Sequence, residues 1–297
     1  MISDEVLRGP EEFDEFWMNL HDQALLVDPE PFRIARDGAL NEWVHSEVCF
    51  TSVDGVNLGA ELLEPESGVD RVIVGMPGYG GVKKPFDPPF LAPGVAELTV
   101  NARGLPKLSQ MNGIPDTPDE HVLHGIESRD DYVIGKCVQD LWVGITAARA
   151  LFPDAHRIDL RGGSFGGGMV IFALPWDDRI TAAAVHVPTF GNQPARLITP
   201  CIGSGEAVRL YAIKHPEVTD VLRYFDAATA AARITVPVIV GAALVDPMVP
   251  PVGQHAIYEA LAGPRLLVET AGGHHDYPAM DLCDNAFTAA SRAWLQL

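Results

Sequence analysis

Short apolar runs separated by longer amphipathic segments recur along most of the chain. Continuous apolar runs predict strands that are covered on both faces, and the patterned segments between them predict helices. The predicted strands are residues 72–74, 98–100, 157–160, 180–187, 236–245 and 266–269, and the predicted helices include residues 138–152 and 254–262. Strands that alternate with helices in this way predict an α/β fold with a mostly parallel central sheet and helices on both faces.

The first sixty residues have a different pattern. Residues 11–20 place Phe13, Phe16, Trp17 and Leu20 at helical spacing, which predicts an amphipathic helix whose aromatic side chains anchor it to the core. Residues 48–53 and 56–63 flank Asp54-Gly55, a strong short signal for a β-hairpin. We therefore expect an N-terminal helix and an antiparallel hairpin within residues 11–63.

Neither a repeat nor a flexible linker divides the sequence, so its 297 residues predict a single domain, 1–297. Periodicity is lost between residues 105 and 131, where Pro, Gly, His and charged residues predict a long active-site loop. Residues 193–234 contain helical patterns that predict a cap region over the site.

The segment Gly162-Gly163-Ser164-Phe165-Gly166 follows one predicted strand and precedes an apolar stretch that predicts a helix. A sharp strand-to-helix turn lifts a serine hydroxyl clear of the backbone, provided that the residues around it lack bulky side chains. The helix that follows adds free N–H groups where an oxyanion would form. The pattern favours Ser164 as a nucleophile over a glycine-rich loop without chemistry.

A nucleophile elbow predicts an acid and then a histidine downstream, each on a loop after a strand. Asp246 follows the apolar run 236–245 and is the predicted acid, in preference to an Asp that only begins a turn before Pro247. His274 and His275 follow the strand at 266–269, and only one of two adjacent imidazoles can be the base.

The loop of residues 75–81 follows the strand at 72–74 and is where such a fold places its second oxyanion donor, although an ordinary Gly/Pro turn has the same pattern. His121 and His124 are predicted to be solvated rather than to bind a metal, and the sequence predicts neither a metal nor another cofactor. His186 lies in an apolar stretch and is predicted to be buried and hydrogen-bonded.

Composition excludes several classes of partner. The net charge is −19, from 40 acidic and 21 basic side chains, so the phosphates of nucleic acid and of anionic membranes would be repelled. A hydrophobic content of 47% predicts a sizeable core, yet no apolar run has the length of a membrane span. Four widely spaced cysteines and an acidic N-terminus without a signal peptide predict a cytoplasmic location.

Five separated blocks resemble carbohydrate esterase family 7, the acetyl xylan esterases and cephalosporin-C deacetylases of the α/β-hydrolase superfamily. The blocks are Gly78-Tyr79-Gly80-Gly81, Arg103-Gly104, residues 162–168, Asp246 with Pro250-Pro251, and His275-Asp276, and residues 12–17 look like the family's N-terminal helix. The resemblance implies Ser164 as nucleophile, Asp246 as acid, and His275 rather than His274 as base. It also implies oxyanion donors from the backbone N–H groups of Tyr79 and Phe165, and cytoplasmic hexamers whose active sites face an internal cavity.

The chain departs from the family at two positions. The family usually has Gln after the nucleophile and after Arg-Gly, where this chain has Phe165 and Leu105. A backbone donor does not depend on its side chain, so this difference concerns the shape of the pocket. The predicted pocket residues are Leu105, Arg103, His274 and Pro250, although for Arg103 we favour a structural ion pair that holds the long loop.

These observations predict a serine esterase that works through an acyl-enzyme, and the resemblance implies that the acyl group is small, as in acetyl esters of sugars or related molecules. Its partners would be a small-molecule ester and further copies of itself, joined through apolar surface around Phe16 and Trp17 and in the hairpin. A general carboxylesterase, a lactonase or an acyltransferase would share every catalytic residue. A non-catalytic protein of the same fold would not need them.

Overall fold

The structure is a computed structural model that describes residues 3–40, 43–81, 90, 92–105 and 108–297. Within these residues the strands are β1 (Phe32–Leu40), β2 (Trp43–Thr51), β3 (Asn57–Pro65), β4 (Arg71–Met76), β5 (Val95–Val100), β6 (Arg157–Gly163), β7 (Ile180–His186), β8 (Val238–Ala243) and β9 (Arg265–Thr270). They form one sheet in the order β1-β2-β3-β5-β4-β6-β7-β8-β9.

Helices cover both faces of this sheet. They are α1 (Asp4–Arg8), α2 (Phe13–Leu25), α3 (Pro118–His121), α4 (Val133–Leu151), α5 (Phe165–Ala173), α6 (Gln193–Ile198), α7 (Ser204–Lys214), α8 (Val218–Leu222), α9 (Ala227–Ala231), α10 (Pro251–Ala260) and α11 (Met280–Leu295). Much of the predicted loop 105–131 is irregular apart from α3, and residues 106 and 107 of that prediction lie outside the described residues. The predicted cap, 193–234, contains α6 to α9.

The sheet divides into an antiparallel and a parallel part. β1, β2 and β3 pair antiparallel in sequence, and β3 also pairs antiparallel with β5. All pairs from β5 to β9 are parallel. Every residue of β4, β5 and β8 is buried, as the continuous apolar runs require. The predicted α/β-hydrolase architecture, a mostly parallel sheet with an antiparallel N-terminal hairpin, is confirmed.

The predicted hairpin joins β2 to β3 through Asp54 and Gly55. Asp54 has φ +63° and Gly55 has φ +70°, which are values that Asp tolerates and glycine adopts freely. The aligned pairs Thr51 with Asn57 and Val48 with Ala60 set the register. The turn residues that identified the hairpin in the sequence therefore have the backbone conformation that this turn needs.

Helix α2 buries its aromatic stripe, as predicted. The Trp17 ring stacks on Phe172 with centroids 4.9 Å apart, and its indole N–H donates to the Tyr224 carbonyl oxygen at 3.0 Å. Trp17 is 0% exposed and Phe16 is 6% exposed. The expectation of apolar surface for subunit contact around Phe16 and Trp17 is therefore wrong for these two side chains, because the chain's own core covers them.

Among the elements that were not predicted from the sequence are β1 and α11. Strand β1 extends the antiparallel edge, and α11 packs Phe287 and Leu295 against Ile73 and Ile239 on one face of the sheet. Without α11 the apolar side chains on that face of the parallel strands would lose this cover. The remaining helices of the core, including α2, α4 and α5, pack in the larger cluster on the other face.

Candidate active site

Ser164 lies in a strained turn between β6 and α5. Its φ of +54° and ψ of −118° are rare for a residue with a side chain and cost roughly 1–3 kcal/mol. Hydrogen bonds on both sides hold this conformation, because the Ser164 N–H donates to the His186 carbonyl oxygen at 2.9 Å and the Ser164 carbonyl accepts from Gly168 and Thr189 at 3.1 and 3.2 Å. The predicted elbow is present.

The glycines on either side of Ser164 permit a close approach of three backbone segments. A Cβ on Gly166 would overlap the Met76 carbonyl oxygen at the end of β4, and a Cβ on Gly162 would lie 2.5 Å from the Gly166 carbonyl carbon. Only glycine fits at either position. This close packing also brings Gly78 beside the nucleophile, since a Cβ there would be 3.2 Å from the Ser164 Cβ.

Asp246 follows β8 and accepts hydrogen bonds on both carboxylate oxygens. Oδ1 accepts from the backbone N–H groups of Met248 and Val249 at 2.9 and 3.0 Å. Oδ2 lies 2.7 Å from His274 Nδ1 and 3.0 Å from Gln254 Nε2. Burial by itself would raise the pKa of Asp246, but the bonds from His274 and the two N–H groups hold this pKa below its ordinary value. The carboxylate is therefore an ionised, fixed partner for an imidazole.

His274, not His275, is the histidine that meets Asp246. The prediction that His275 pairs with this carboxylate is wrong, because the tight turn after β9 presents the first histidine of the pair. In that turn the Gly273 N–H donates to the Val245 carbonyl oxygen at 2.9 Å, and a Cβ on Gly273 would overlap the Asp246 carboxylate. His275 turns toward Tyr277, and its buried Nδ1 has no hydrogen-bond partner among the described residues.

Gln254 is a site residue that the sequence analysis missed. It is fully buried on α10, donates to Asp246 and to the Val249 carbonyl oxygen (2.7 Å), and accepts from the Ala243 N–H at 2.8 Å. These bonds join the end of β8 to the loop that carries the acid. The signal in the sequence is a polar Gln at the start of an otherwise amphipathic helix.

The two predicted oxyanion donors lie beside the elbow. The Phe165 N–H is the first of α5, and the Tyr79 N–H lies in the loop after β4, next to Gly78. Within the described part of the chain neither N–H has a hydrogen-bond acceptor. The Tyr79 and Phe165 rings pack against each other with centroids 4.3 Å apart. Both N–H groups therefore lie close to Ser164 without an acceptor among the described residues.

Ser164 and His274 open into one cavity of about 750 Å³. Its walls come from the loop after β4, the long loop, the elbow, the loop after β7, the start of α7 and the loop after β8. The lining residues are Gly78, Tyr79, Gly80, Gly81, Thr117, Pro118, Asp119, Gly163, Ser164, Phe165, Val187, Thr189, Gly203, Ser204, Gly205, Met248, Val249 and His274.

Of the four predicted pocket residues only His274 lines this cavity. Arg103 is 3% exposed, and its guanidinium donates to Asp140 at 2.6 and 2.9 Å, so the favoured structural ion pair is confirmed and the pocket role is wrong. Leu105 belongs to the apolar core, and Pro250 precedes α10 while Met248 and Val249 face the cavity instead.

Two further histidines differ from their predictions. His121 is fully buried rather than solvated, and it contacts Tyr79 and Arg103. His186 is largely buried as expected and stacks on Phe287 at 4.6 Å, but its Nε2 has no hydrogen-bond partner in the described ranges, so the expected bond is missing. Burial lowers the pKa of both imidazoles.

The described residues contain no group of three or more His, Cys, Asp or Glu side chains placed to hold a metal ion. Across the same residues, no helix combines the length and the apolar character needed to cross a membrane.

Comparison with known proteins identifies a family. A family model described as acetyl xylan esterase (AXE1) matches residues 5–281. The acetyl esterase Axe7A of Xylanibacter ruminicola is 22% identical in an alignment of 289 residues that covers 90% of this chain and 64% of that protein. The chain thus spans less than two thirds of that relative's length.

Two solved structures share the fold over nearly the whole chain. An acetyl xylan esterase from Paenibacillus sp. R4 has a TM-score of 0.81 at 23% identity, covering 96% of each chain. Acetyl xylan esterase 1 from Thermoanaerobacterium sp. JW/SL YS485 has a TM-score of 0.79 at 20% identity, covering 95% of each chain.

Proposed function

The chain belongs to the acetyl xylan esterase family, and from that premise we propose that it is a serine esterase that hydrolyses acetyl esters of sugars or related small molecules. The observation that carries the proposal is His274, which lies 2.7 Å from Asp246 and lines the same cavity as the strained Ser164. The names of the related acetyl esterase and acetyl xylan esterases support the same activity.

The proposed mechanism is a two-step acyl transfer. His274 keeps its Nδ1–H on Asp246, so its Nε2 takes the proton of the Ser164 hydroxyl as the serine oxygen attacks the ester carbonyl carbon. The N–H groups of Tyr79 and Phe165 donate to the oxyanion. His274 then returns the proton to the leaving alcohol, and the acyl group stays on Ser164. A water molecule, deprotonated by His274, then attacks the acyl carbon, the bond to the Ser164 oxygen breaks, and His274 returns the proton to that oxygen as the acid leaves.

A cavity of about 750 Å³ supports a second candidate for the acyl group. Phe165, Val187, Met248 and Val249 give it an apolar wall, which suits an esterase for longer acyl chains. A series of p-nitrophenyl esters from acetate to octanoate separates the two candidates. We expect kcat/KM to be highest for acetate, and a maximum at butyrate or longer would favour the general carboxylesterase.

The nucleophile is tested by Ser164→Ala. We expect the loss of both ester hydrolysis and labelling by a fluorophosphonate, by several orders of magnitude, because the attacking oxygen is removed. Ser67→Ala, on the exposed turn between β3 and β4, is the matched control and should behave as wild type. Labelling of Ser164→Ala at the wild-type rate would exclude the serine mechanism.

We further propose that the chain forms a single catalytic domain and that it acts in the cytoplasm. We also propose that it assembles as a homo-oligomer, and the family resemblance suggests a hexamer. The four cysteines are free, which suits a reducing compartment. Large apolar side chains that a partner copy would cover include Leu26, which is 87% exposed, and Ile198, which is 80% exposed.

A further inference from the structure

A buried histidine that the proposed mechanism does not use lies behind the oxyanion loop. His121 ends α3 and is 0% exposed. Its Nδ1 lies 3.0 Å from the Tyr79 hydroxyl, and its Nε2 lies 2.9 Å from the Arg103 carbonyl oxygen. Both ring nitrogens are therefore within hydrogen-bond distance of a partner.

These partners determine the tautomer of His121. A carbonyl oxygen only accepts, so Nε2 carries the proton and Nδ1 is left as an acceptor. The Tyr79 hydroxyl must then donate to Nδ1. Burial lowers the pKa of His121 and raises the pKa of Tyr79 well above its ordinary value, so both groups stay neutral near pH 7.

The histidine is itself held by the core. Its acceptor is the backbone of Arg103, whose guanidinium and N–H both bond Asp140, the N–H at 3.2 Å. Asp140 is fully buried on α4 and also accepts from Ser52 at 2.7 Å. A continuous chain of hydrogen bonds therefore runs from a core helix through Arg103 and His121 to the Tyr79 hydroxyl.

Tyr79 has the only side chain in residues 78–81, since its three neighbours there are glycines. Gly78 lies against Ser164, the Gly81 N–H donates to the Gly78 carbonyl oxygen at 2.9 Å, and a Cβ at Gly80 or Gly81 would meet no described atom within 4 Å. Within 78–81, Tyr79 is therefore the one position at which a side chain anchors the loop. Its ring lies on Phe165 at 4.3 Å and against the edge of His121 at 5.5 Å. Both proposed oxyanion donors consequently share one aromatic cluster with His121.

We infer that His121 is a positioning residue, which holds the Tyr79 hydroxyl so that the backbone N–H of Tyr79 stays directed at the developing oxyanion. The inference rests on the proposed esterase function. His121 touches neither substrate nor nucleophile, and it acts through Tyr79. The hydrogen bond from the Tyr79 hydroxyl to His121 and the packing of the Tyr79 ring on Phe165 together fix the position of the loop.

Tyr79→Phe removes only the hydroxyl and keeps the backbone donor and the ring. We expect kcat to fall about tenfold while KM changes less than about twofold, since a misdirected donor weakens the transition state more than the bound ester. A trifluoromethyl ketone inhibitor, whose hemiketal oxygen would occupy the same hole, should bind more weakly by a similar factor. Tyr211→Phe is the control, because Tyr211 bonds Glu127 away from the cavity and should keep wild-type kcat.

His121 is tested by a pair of substitutions. His121→Gln can still accept from Tyr79 and donate to Arg103, so it should retain much of the wild-type kcat, whereas His121→Leu should lose it. The double variant His121→Leu with Tyr79→Phe should be no slower than His121→Leu alone, because both remove the same bond. His124→Leu, three residues away in the same loop, is the matched control and should leave kcat near wild type.

Hydrogen–deuterium exchange gives a readout that does not need activity. Exchange at Gly81, whose N–H donates to the Gly78 carbonyl oxygen at 2.9 Å, should be faster in Tyr79→Phe than in wild type. If exchange, kcat and inhibitor affinity of Tyr79→Phe all match the wild type, the positioning role of His121 is overturned. This test does not depend on the folding of His121→Leu. If the wild type hydrolyses no ester and Ser164 is not labelled, the proposed function fails. The exchange measurement still tests the loop in that case: faster exchange in Tyr79→Phe supports the anchoring of the loop by the Tyr79 hydroxyl, and unchanged exchange contradicts it.

Discussion

The carboxylate of Asp246 accepts hydrogen bonds from Met248, Val249, Gln254 and His274. Each of the two carboxylate oxygens accepts two hydrogen bonds, which occupies all four lone pairs and restricts the direction of each donor. The His274 ring can satisfy this arrangement only from the position that the turn after β9 gives it. At the residue scale, the identity of the base therefore depends on the direction of two adjacent side chains in one turn.

His274→Ala should reduce kcat roughly 10³-fold or more, since it removes the acceptor of the serine proton. His275→Ala should keep most of the activity, because its ring faces Tyr277 rather than the cavity. Steady-state hydrolysis of p-nitrophenyl acetate by both variants measures the difference. The reverse order of effects would restore His275 as the base.

At the scale of elements, the elbow depends on the meeting of β4, β6 and α5. Gly166 lies on the first turn of α5 where the end of β4 passes, and Gly162, the last residue but one of β6, lies against the backbone of Gly166 and Gly167. Parallel strands end at one edge of the sheet, so the loops after β4, β6, β8 and β9 all reach Ser164 from the same side. The site therefore depends on the order of the strands, which brings these loops together, as well as on the glycines around Ser164.

Gly166→Ala should destabilise the fold by about 2–4 kcal/mol, because the added methyl overlaps the Met76 carbonyl oxygen and backbone has to move. Gly68→Ala is the control, since a Cβ at Gly68 meets nothing within 4 Å. Urea unfolding of the two variants measures the difference. Equal midpoints would show that β4 and α5 can separate at little cost.

At the scale of the molecule, one cluster of polar side chains links the N-terminal helix to the sheet. Asp177 lies before β7 and accepts from Arg179 at 2.6 and 2.7 Å, and His21 of α2 lies 3.8 Å away. Arg179 also donates to Thr146 on α4 at 2.9 Å. Burial by itself would raise the pKa of Asp177, but the hydrogen bonds and the positive charge of Arg179 lower it to about 2.

This low pKa predicts a loss of stability in acid. The ordinary pKa of 3.8 applies to the unfolded chain, so the stabilisation is complete above pH 4 and is lost as the pH falls toward 2. Asp177→Asn should therefore lower the free energy of unfolding at pH 7 by on the order of 2 kcal/mol. The difference from wild type should vanish near pH 2. Asp178→Asn, at the exposed neighbouring position, should show no such dependence.

Assembly is also tested on the whole molecule. A hexamer of the 32.0 kDa chain with enclosed active sites should cleave acetylated short sugars but hydrolyse polymeric acetylated xylan poorly. Light scattering combined with rates on the two substrates checks this. A monomer would remove the reason for size selection and leave the cavity shape to decide the substrate.

The sequence by itself determined the local features. Apolar runs predicted the buried strands, Asp54-Gly55 predicted the hairpin, and the glycines around Ser164 predicted the elbow, because each of these signals depends on neighbours in the chain. The five blocks of resemblance identified the family. Arg103 could also be assigned to an ion pair, although its partner Asp140 lies 37 residues along the chain.

Only the tertiary structure decided the features that depend on the direction of a side chain or on contacts between residues far apart in the sequence. It placed His274 rather than His275 on Asp246, removed Leu105 and Pro250 from the cavity, and buried His121 behind Tyr79. It also covered Phe16 and Trp17, which an amphipathic pattern marks as apolar without saying what they meet. Side-chain direction in an irregular loop is fixed by contacts from segments far apart in sequence, and no local pattern contains them.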